Sequence, residues 1–186
     1  MKEKLKIIKG LCLTISLSLI FSYYIYEYFK DSNDLITVNN YVNNVKDNYN
    51  KSNDIEEYLG VLEIPKIGLK KGFYSLESLQ NNVNSNIELL KGSSSPDVKN
   101  SRIILAAHSG ASYLGYFKNL DQLLLNDELI IYYQNNKYIY YVSDIYEEKK
   151  DGSITISSNM NDSILVLTTC SKNKDMQLVV IGKKIT

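Results

Sequence analysis

The chain has 186 residues, of which 44% are hydrophobic, with 21 basic and 21 acidic residues. This length suits one globular domain with a short segment in front of it. Four of the basic residues, Lys2, Lys4, Lys6 and Lys9, lie among the first nine positions, so the remainder holds 17 basic and 20 acidic residues. A mildly acidic body without a basic stripe argues against nucleic-acid binding.

The N-terminal apolar segment carries no charge over the 17 residues from Gly10 to Tyr26. This length lies at the lower end of what spans a hydrocarbon core as a helix, and the preceding lysines place the N-terminus in the cytoplasm. We predict a cytoplasmic tail over 1–6 and a transmembrane anchor over 7–28, with the rest of the chain extracellular. A cleaved signal peptide is the competing interpretation, but bulky residues (YYIYEYF) stand where its small-residue cleavage site should follow.

The remaining sequence predicts a polar stalk over 29–57, rich in Asn, Asp, Lys and Ser, and a folded domain over 58–186. A short helix is expected within 75–90, Tyr116–Leu124 has helical spacing, and Glu147–Ser153 is typical of a charged loop. Apolar runs bounded by polar turns predict strands at Leu59–Pro65, Arg102–Ala107, Leu129–Tyr133, Tyr138–Val142, Ser163–Thr169 and Gln177–Ile181. Many short strands and little helix favour a mainly-β fold, a closed or nearly closed barrel.

The candidate chemistry rests on one histidine, His108, and on Cys170, the one cysteine outside the N-terminal apolar segment. Each ends a strand-like run (RIILAA and SILVLTT), so pairing of the two strands would bring the thiol and the imidazole together. The histidine could take the thiol proton or, as imidazolium, stabilise the thiolate for acyl transfer. Cys12 lies in the apolar segment and cannot reach Cys170, so no intrachain disulfide is expected. Carboxylates show no metal-ligand spacing, and we expect no metal or cofactor.

Four motifs, in order, resemble the sortases, the membrane-anchored cysteine transpeptidases of Gram-positive cell surfaces. They are LGVLEIPKIGL (Leu59–Leu69), IILAAHSG (Ile103–Gly110), YFKNLDQLLLNDELI (Tyr116–Ile130) and VLTTC (Val166–Cys170), the last being similar to the family's TLxTC. The resemblance covers Tyr58–Ile185 and implies an eight-stranded sortase β-barrel with one or two short helices. It also implies Cys170 as the nucleophile, His108 as its acid/base partner and Thr169 as a substrate-binding residue.

The resemblance further implies cleavage within a C-terminal sorting signal of the LPxTG kind, through a thioester on Cys170. The acyl group would pass to an amine of a cell-wall peptide precursor or of a pilin lysine. The partners would be surface proteins that carry such signals, and the N-terminal anchor would hold the enzyme on the cell membrane. The interval of 62 residues between His108 and Cys170, without a second apolar span after the barrel, favours a compact class A-, D- or E-like sortase over class B or C.

The chain departs from the family pattern at the arginine that sortases carry on the last strand, past the cysteine. Its one arginine, Arg102, begins the strand that leads to His108, and six strand residues span about 20 Å. Gln177 fits the arginine position best, although its amide brings no charge, and Lys172 or Lys174 is the alternative source of charge. Loss of one oxyanion donor typically costs about 10²–10³ in rate. The competing hypotheses are therefore a catalytically impaired sortase-fold scaffold and an unrelated β-rich surface protein.

Overall fold

The computed structural model describes residues 2–44, 58–112, 114–156, 161–173 and 175–184. The chain forms two compact units, residues 1–39 and 40–186. The N-terminal helix α1 spans Lys2–Asn44. It continues through the first part of the predicted stalk, whereas residues 45–57 lie outside the described residues. Within the described part of the chain no helix has the length and apolar character that a membrane span requires, which gives no support to the predicted anchor over 7–28.

The described residues of the second unit include eight strands. These are β1 (Gly60–Ile64), β2 (Leu69–Phe73), β3 (Glu88–Leu89), β4 (Arg102–Ala106), β5 (Glu128–Tyr133), β6 (Asn136–Lys149), β7 (Ile164–Cys170) and β8 (Met176–Lys184). They form one sheet in the order β2-β1-β5-β6-β8-β7-β4-β3, in which β4 and β7 pair in parallel and the other pairs are antiparallel. A bridge between Phe73 and Ile87 joins the two edges of the sheet. The predicted mainly-β, nearly closed barrel is confirmed.

The helical content of the barrel is smaller than the sequence predicts. In the described residues it consists of two 3₁₀ turns, Pro65–Ile67 and Leu120–Gln122, the second lying within the segment of helical spacing. The helix expected within 75–90 is wrong, because the chain there forms successive turns. The Asn81 side chain both donates to the Leu89 carbonyl and accepts from the Leu89 N–H. Such side-chain bonds satisfy backbone groups locally and compete with helix formation.

The hairpin of β5 and β6 is confirmed, and β6 is longer than predicted. Gln134 and Asn135, with φ of 42° and 62°, supply the left-handed pair that a two-residue hairpin turn requires. After a bulge between Val142 and Asp144, β6 pairs with β8 as far as Lys149. The first three residues of the predicted charged loop are therefore strand. Their backbone groups are satisfied by β8, so their side chains can remain polar.

Side chains along β4, β7 and β8 alternate between the two faces of the sheet, as in any strand. One face fills the main core, to which these strands contribute Ile103, Leu105, Leu165, Leu167, Leu178 and Val180. The other face carries a second cluster, Ile104, Ile164, Val166, Val179 and Ile181. We call this second cluster the apolar strip. It leads along the sheet towards the carboxyl ends of β4 and β7.

Candidate active site

The parallel pairing of β4 and β7 determines where the histidine and the cysteine lie. Its last pair is Ala106 with Thr168, and His108 and Cys170 each follow two residues later. The ladder continues past β4, because the Ala107 N–H donates to the Thr168 carbonyl over 3.3 Å. Ala107 belongs to the main core, so the next side chain, that of His108, faces the other side of the sheet, as does that of Cys170. The strand ends that carry the two predicted residues are therefore neighbours.

Hydrogen bonds from the loop after β4 hold these strand ends together. The Ser109 hydroxyl donates to the Cys170 carbonyl over 2.8 Å, and the His108 carbonyl accepts from the Phe117 N–H over 3.0 Å. Phe117 is almost fully buried, with 1% of its surface exposed. The backbone of the histidine is thus tied to the core, while both functional side chains remain partly exposed. A thiol that must meet a polypeptide substrate needs this accessibility.

The structure does not bring Thr169 into the site. This residue lies on the face of β7 opposite to Cys170, and only 6% of its surface is exposed. Its hydroxyl donates to the Ala107 carbonyl over 2.7 Å. The substrate-binding role of Thr169 stays a prediction, and strand alternation directs its side chain inward. Thr169 instead fastens β7 to the loop after β4.

Gln177, predicted in the family's arginine position, lies directly across from Cys170 in the antiparallel β7–β8 ladder. On its other side it pairs with Glu148 of β6. Its amide nitrogen donates to the Glu148 carboxylate over 3.0 Å and to the Ser153 carbonyl. Both amide hydrogens are engaged, so neither can reach an oxyanion without giving up its present partner. In this arrangement Gln177 positions the chain after β6 beside the thiol.

The segment after β6 lies against the apolar strip. Ile154 and Ile156 pack on the strip, and the Thr155 N–H donates to the Glu148 carboxylate over 3.1 and 3.2 Å. The Tyr146 hydroxyl donates to the Thr155 carbonyl. Burial, and after it the charges of Glu148 and Asp144, together raise the pKa of Tyr146 to about 12. A neutral phenol therefore holds this segment throughout the physiological range.

A lysine ammonium group makes a polar contact with the cysteine sulfur. Lys150 Nζ lies 3.1 Å from Cys170 Sγ, and the Lys150 N–H donates to the Asp175 carbonyl over 2.9 Å. The second bond continues the β6–β8 ladder one residue past β6. An ammonium group in hydrogen-bond contact with a thiol stabilises the thiolate, the reactive form.

The other predicted cations lie elsewhere or outside the described residues. Lys172 forms an ion pair with Asp121, and its side chain is 86% exposed. The hydrogen bond to Asp121, together with the charge of that carboxylate, raises the pKa of Lys172. Lys174 is outside the described residues. Arg102 begins β4, at the end of the strand remote from Cys170, and is exposed.

A buried hydroxyl completes the inventory of the site. Thr168 precedes Cys170 by two residues on the same face of β7, and it is 6% exposed. Its hydroxyl finds no hydrogen-bond partner in the described part of the chain. The same part of the chain contains no group of three or more histidine, cysteine or carboxylate side chains that could hold a metal ion.

Comparison with known proteins identifies the family. The sortase-domain family profile matches residues 62–185, well over half of the chain. The chain belongs to the sortase family. No curated protein matches it at a significant level.

Solved structures share the fold of this sortase at low sequence identity. A Clostridium perfringens sortase D5 transpeptidase aligns with a TM-score of 0.65 and 18% identity, over 83% of this chain and 99% of that one. Streptococcus pneumoniae sortase C aligns with a TM-score of 0.62 and 22% identity, over 76% and 77%. Sortase A from Corynebacterium diphtheriae aligns with a TM-score of 0.61 and 19% identity, over 71% and 62%. At these identities the likeness is one of fold, and it extends over three sortase classes.

The sequence prediction missed Lys150, because the residue fell within the loop predicted at Glu147–Ser153. The signal that could have found it is alternation. Once β6 is continued past Glu147, Glu148 and Lys150 lie on one side of the strand, the side of Cys170, and Lys149 lies on the other. That continuation depends on pairing with β8, which no local pattern in this charged segment reveals.

Proposed function

We propose that this sortase is a cysteine transpeptidase in which Cys170 is the nucleophile and His108 the general acid and base. The observation that supports the proposal is the extension of the β4–β7 register, which makes the strand ends that carry the two residues neighbours. Both are partly exposed, and the chain belongs to a family of cysteine transpeptidases. Adjacent strand ends are rigid, so little ordering is needed before reaction.

The proposed reaction proceeds in two half-reactions that balance. The Cys170 thiol gives its proton to His108, and the thiolate attacks the carbonyl carbon of the scissile peptide bond. The carbon–sulfur bond forms, the carbon–nitrogen bond breaks, and His108 returns the proton to the leaving amine. An acceptor amine then attacks the thioester, loses a proton to His108, and expels Cys170 as thiolate, which is reprotonated by the imidazolium.

The proposed substrates are surface proteins with a C-terminal sorting signal of the LPxTG kind. Membership of the sortase family supports this choice. The proposed acceptor is an amine of a cell-wall peptide or of a pilin lysine. The proposed class is compact and A-, D- or E-like.

The proposed location is the outer side of the cell membrane. It is supported by the N-terminal sequence alone, in which four lysines precede 17 uncharged residues. The positive-inside bias then leaves the barrel outside. Protease added to intact cells that produce the full chain should digest the barrel. Protection of the barrel until the cells are lysed would refute the location.

The test of the function is covalent capture by a substrate analogue. The full-length chain with Cys12→Ser keeps one thiol and is incubated with an LPxT peptide whose scissile bond is replaced by a thiol-directed group. We expect one adduct at Cys170, located by mass spectrometry, and none with Cys170→Ala. A folded protein that forms no adduct would refute the proposal and favour a scaffold with the sortase fold.

The same preparation tests transfer. With an LPxTG peptide and a glycine-based or lysine-based amine, the proposal requires an amide product that depends on both Cys170 and His108. Release of the cleaved peptide as a free acid alone would show a hydrolase rather than a transpeptidase, since water competes for any thioester.

A further inference from the structure

Resting on the proposed function, we infer that Lys150 is a catalytic residue that acts on the reacting sulfur. Its ammonium group stabilises the Cys170 thiolate before attack on the substrate and again when the thioester is resolved. No covalent bond forms between the Cys170 sulfur and Lys150. The thiol proton passes to His108, and Lys150 keeps its own protons throughout the cycle.

The contact between Lys150 and Cys170 joins two identified atoms at hydrogen-bond distance. Lys150 Nζ lies 3.1 Å from Cys170 Sγ, within the range of a hydrogen bond to sulfur. The backbone of Lys150 is held in place, because its N–H donates to the Asp175 carbonyl over 2.9 Å. Asp175 has a left-handed φ of 67° and begins the return into β8. The continued β6–β8 pairing thus places the ammonium group of Lys150 beside the sulfur of Cys170.

The neighbouring carboxylate leaves this cation available. Glu148 precedes Lys150 by two residues and shares its side of the strand, and could have neutralised it. Its carboxylate is instead occupied by the Gln177 amide over 3.0 Å and by the Thr155 N–H. Among the described residues no carboxylate lies within ion-pair distance of Lys150. In the described part of the chain, the ammonium group of Lys150 has the Cys170 sulfur as its polar partner.

The charged groups near Cys170 differ in their contact with the sulfur. In the described part of the chain, the polar side chains on this side of the sheet include His108 from the loop after β4, Glu148 of β6, Lys150 just after β6, and Gln177 of β8. Gln177 is neutral and both of its amide hydrogens are engaged, and the Glu148 carboxylate is held by the Gln177 amide and the Thr155 N–H. Among the described residues, Lys150 is the cation in contact with the sulfur. A cation beside a thiol favours the thiolate.

The expected size of the effect follows from exposure. Lys150 is exposed, so water screens its charge, and the attraction of two unit charges in contact is then worth about fivefold to tenfold in an equilibrium. A contribution of that size lies well below that of the nucleophile itself. It is nevertheless large enough to distinguish the effect of the Lys150 charge on Cys170 from that of an exposed lysine away from the sulfur.

The experiment compares three variants in the full-length Cys12→Ser chain. Lys150→Met removes the charge and Lys150→Arg keeps it. Lys149→Met is the matched control, because it removes the same charge one residue away on the opposite side of the strand. Cys170 is alkylated at neutral pH and low salt with iodoacetamide, which is neutral, and with iodoacetate, which is anionic. The kcat and KM of acyl transfer are measured beside these rates.

We expect Lys150→Met to slow alkylation by iodoacetamide about fivefold to tenfold and alkylation by iodoacetate more strongly. The value of kcat/KM should fall by a similar factor, mainly through kcat. The alkylation rates and kcat/KM of Lys150→Arg should stay within about twofold of those of the parent. Those of Lys149→Met should equal those of the parent. High salt should reduce the difference in iodoacetate rate. Lys150→Gln serves as a second neutral variant if the methionine disturbs folding.

Equal alkylation rates for Lys150→Met and Lys149→Met would overturn the inference, whatever the result of peptide capture. Conversely, a parent protein that alkylates readily but never captures or transfers a sorting-signal peptide would refute the proposed function. The alkylation rates would then still test the role of Lys150, independently of the peptide experiments. The two failures are therefore distinguishable in one set of proteins.

Discussion

The two faces of the strands β4, β7 and β8 differ in how completely their side chains are satisfied. On the core face, Leu167 and Val180 are fully buried among apolar neighbours. On the other face, the apolar strip gives way within a few residues to Thr168, Cys170 and Gln177. One backbone carries packing on one side and reactive groups on the other, because alternate residues of a strand point in opposite directions.

This difference implies that stability and chemistry can be separated residue by residue. Neighbours in sequence, such as Leu167 and Thr168, serve opposite faces. The core face is filled with apolar contacts, whereas the polar end of the other face holds a half-buried thiol and a hydroxyl that has no partner in the described part of the chain. Substitutions on the core face should lower the free energy of unfolding, and substitutions at this polar end, around Cys170, should lower activity while the fold persists.

The largest effect is expected for Cys170→Ala. Without the sulfur no thioester can form, and we expect acyl transfer to fall by at least about 10⁴-fold, as for nucleophiles of other covalent enzymes. The midpoint of thermal unfolding should remain within about 2 °C of the parent, since the thiol is half exposed and packs little. A product yield of the Cys170→Ala variant close to that of the parent would place the nucleophile elsewhere.

The next effect concerns the opposite face of the same strand. Leu167→Ala should lower the free energy of unfolding by about 2–5 kcal/mol, because it removes a fully buried side chain and leaves a cavity. Denaturant unfolding measures this loss. The activity that remains at temperatures where the variant is folded should stay near that of the parent. Leu167→Met, which conserves volume, is the control. A small change in stability with a large loss of turnover would contradict the separation of the two faces.

Gln177→Ala is expected to have an intermediate effect. It releases the Glu148 carboxylate and the Ser153 carbonyl, so the segment that flanks the apolar strip loses an attachment. We expect kcat/KM to fall about tenfold, chiefly through KM. Lys172→Ala, which breaks an exposed ion pair with Asp121, is the control and should leave kinetics unchanged. Equal kinetics of Gln177→Ala and the parent would remove Gln177 from the site.

The strands that the sequence predicts are those with continuous apolar alternation. β7 and β8 agree with prediction within a few residues, since their burial leaves the apolar pattern undisturbed. β2 was missed because its sequence, LKKGF, is rich in lysine. Lys71 there is 8% exposed, and its ammonium group lies 4.8 Å from the centre of the Tyr116 ring. A lysine buried by its stem against an aromatic ring carries no local signal of a strand.

The candidate site likewise contains residues that could be predicted from the sequence and residues that could not. His108 and Cys170 could be predicted, since each is unique among the residues available and each ends an apolar run. Lys150 could not, because its position depends on the β6–β8 register beyond a bulge. The motif match that singles out Thr169 does not say which face of the strand the residue occupies, so its role stays a prediction. Pairing between distant strands, rather than local pattern, decides the polar half of this site.

Thr168→Val is expected to have a small effect, of opposite sign for stability and activity. The buried hydroxyl without a partner in the described residues costs desolvation energy that an isosteric methyl group avoids, so we expect stability to rise by up to about 1 kcal/mol. If the hydroxyl bonds a peptide substrate on the strip, KM should rise. Thr168→Ser, which keeps the hydroxyl, is the control for KM. Loss of stability in Thr168→Val would indicate that the hydroxyl already has a partner.

The smallest effect at neutral pH is expected from Tyr146. Its pKa is raised to about 12, first by burial and then by the charges of Glu148 and Asp144, against a value near 10 in the unfolded chain. The folded protein therefore keeps the phenol proton at pH values where the unfolded chain loses it. The corresponding stability is fully present below pH 10 and is lost as pH rises through about 12.

Tyr146→Phe isolates this contribution. The variant cannot ionise at this position, so its free energy of unfolding should fall less steeply than that of the parent between about pH 10 and pH 12. The difference in slope should approach one proton. Because the phenol also donates to the Thr155 carbonyl, Tyr146→Phe should loosen the segment over the apolar strip and raise KM slightly at neutral pH. Parallel pH profiles of parent and variant would show that the phenol of Tyr146 titrates alike in both states.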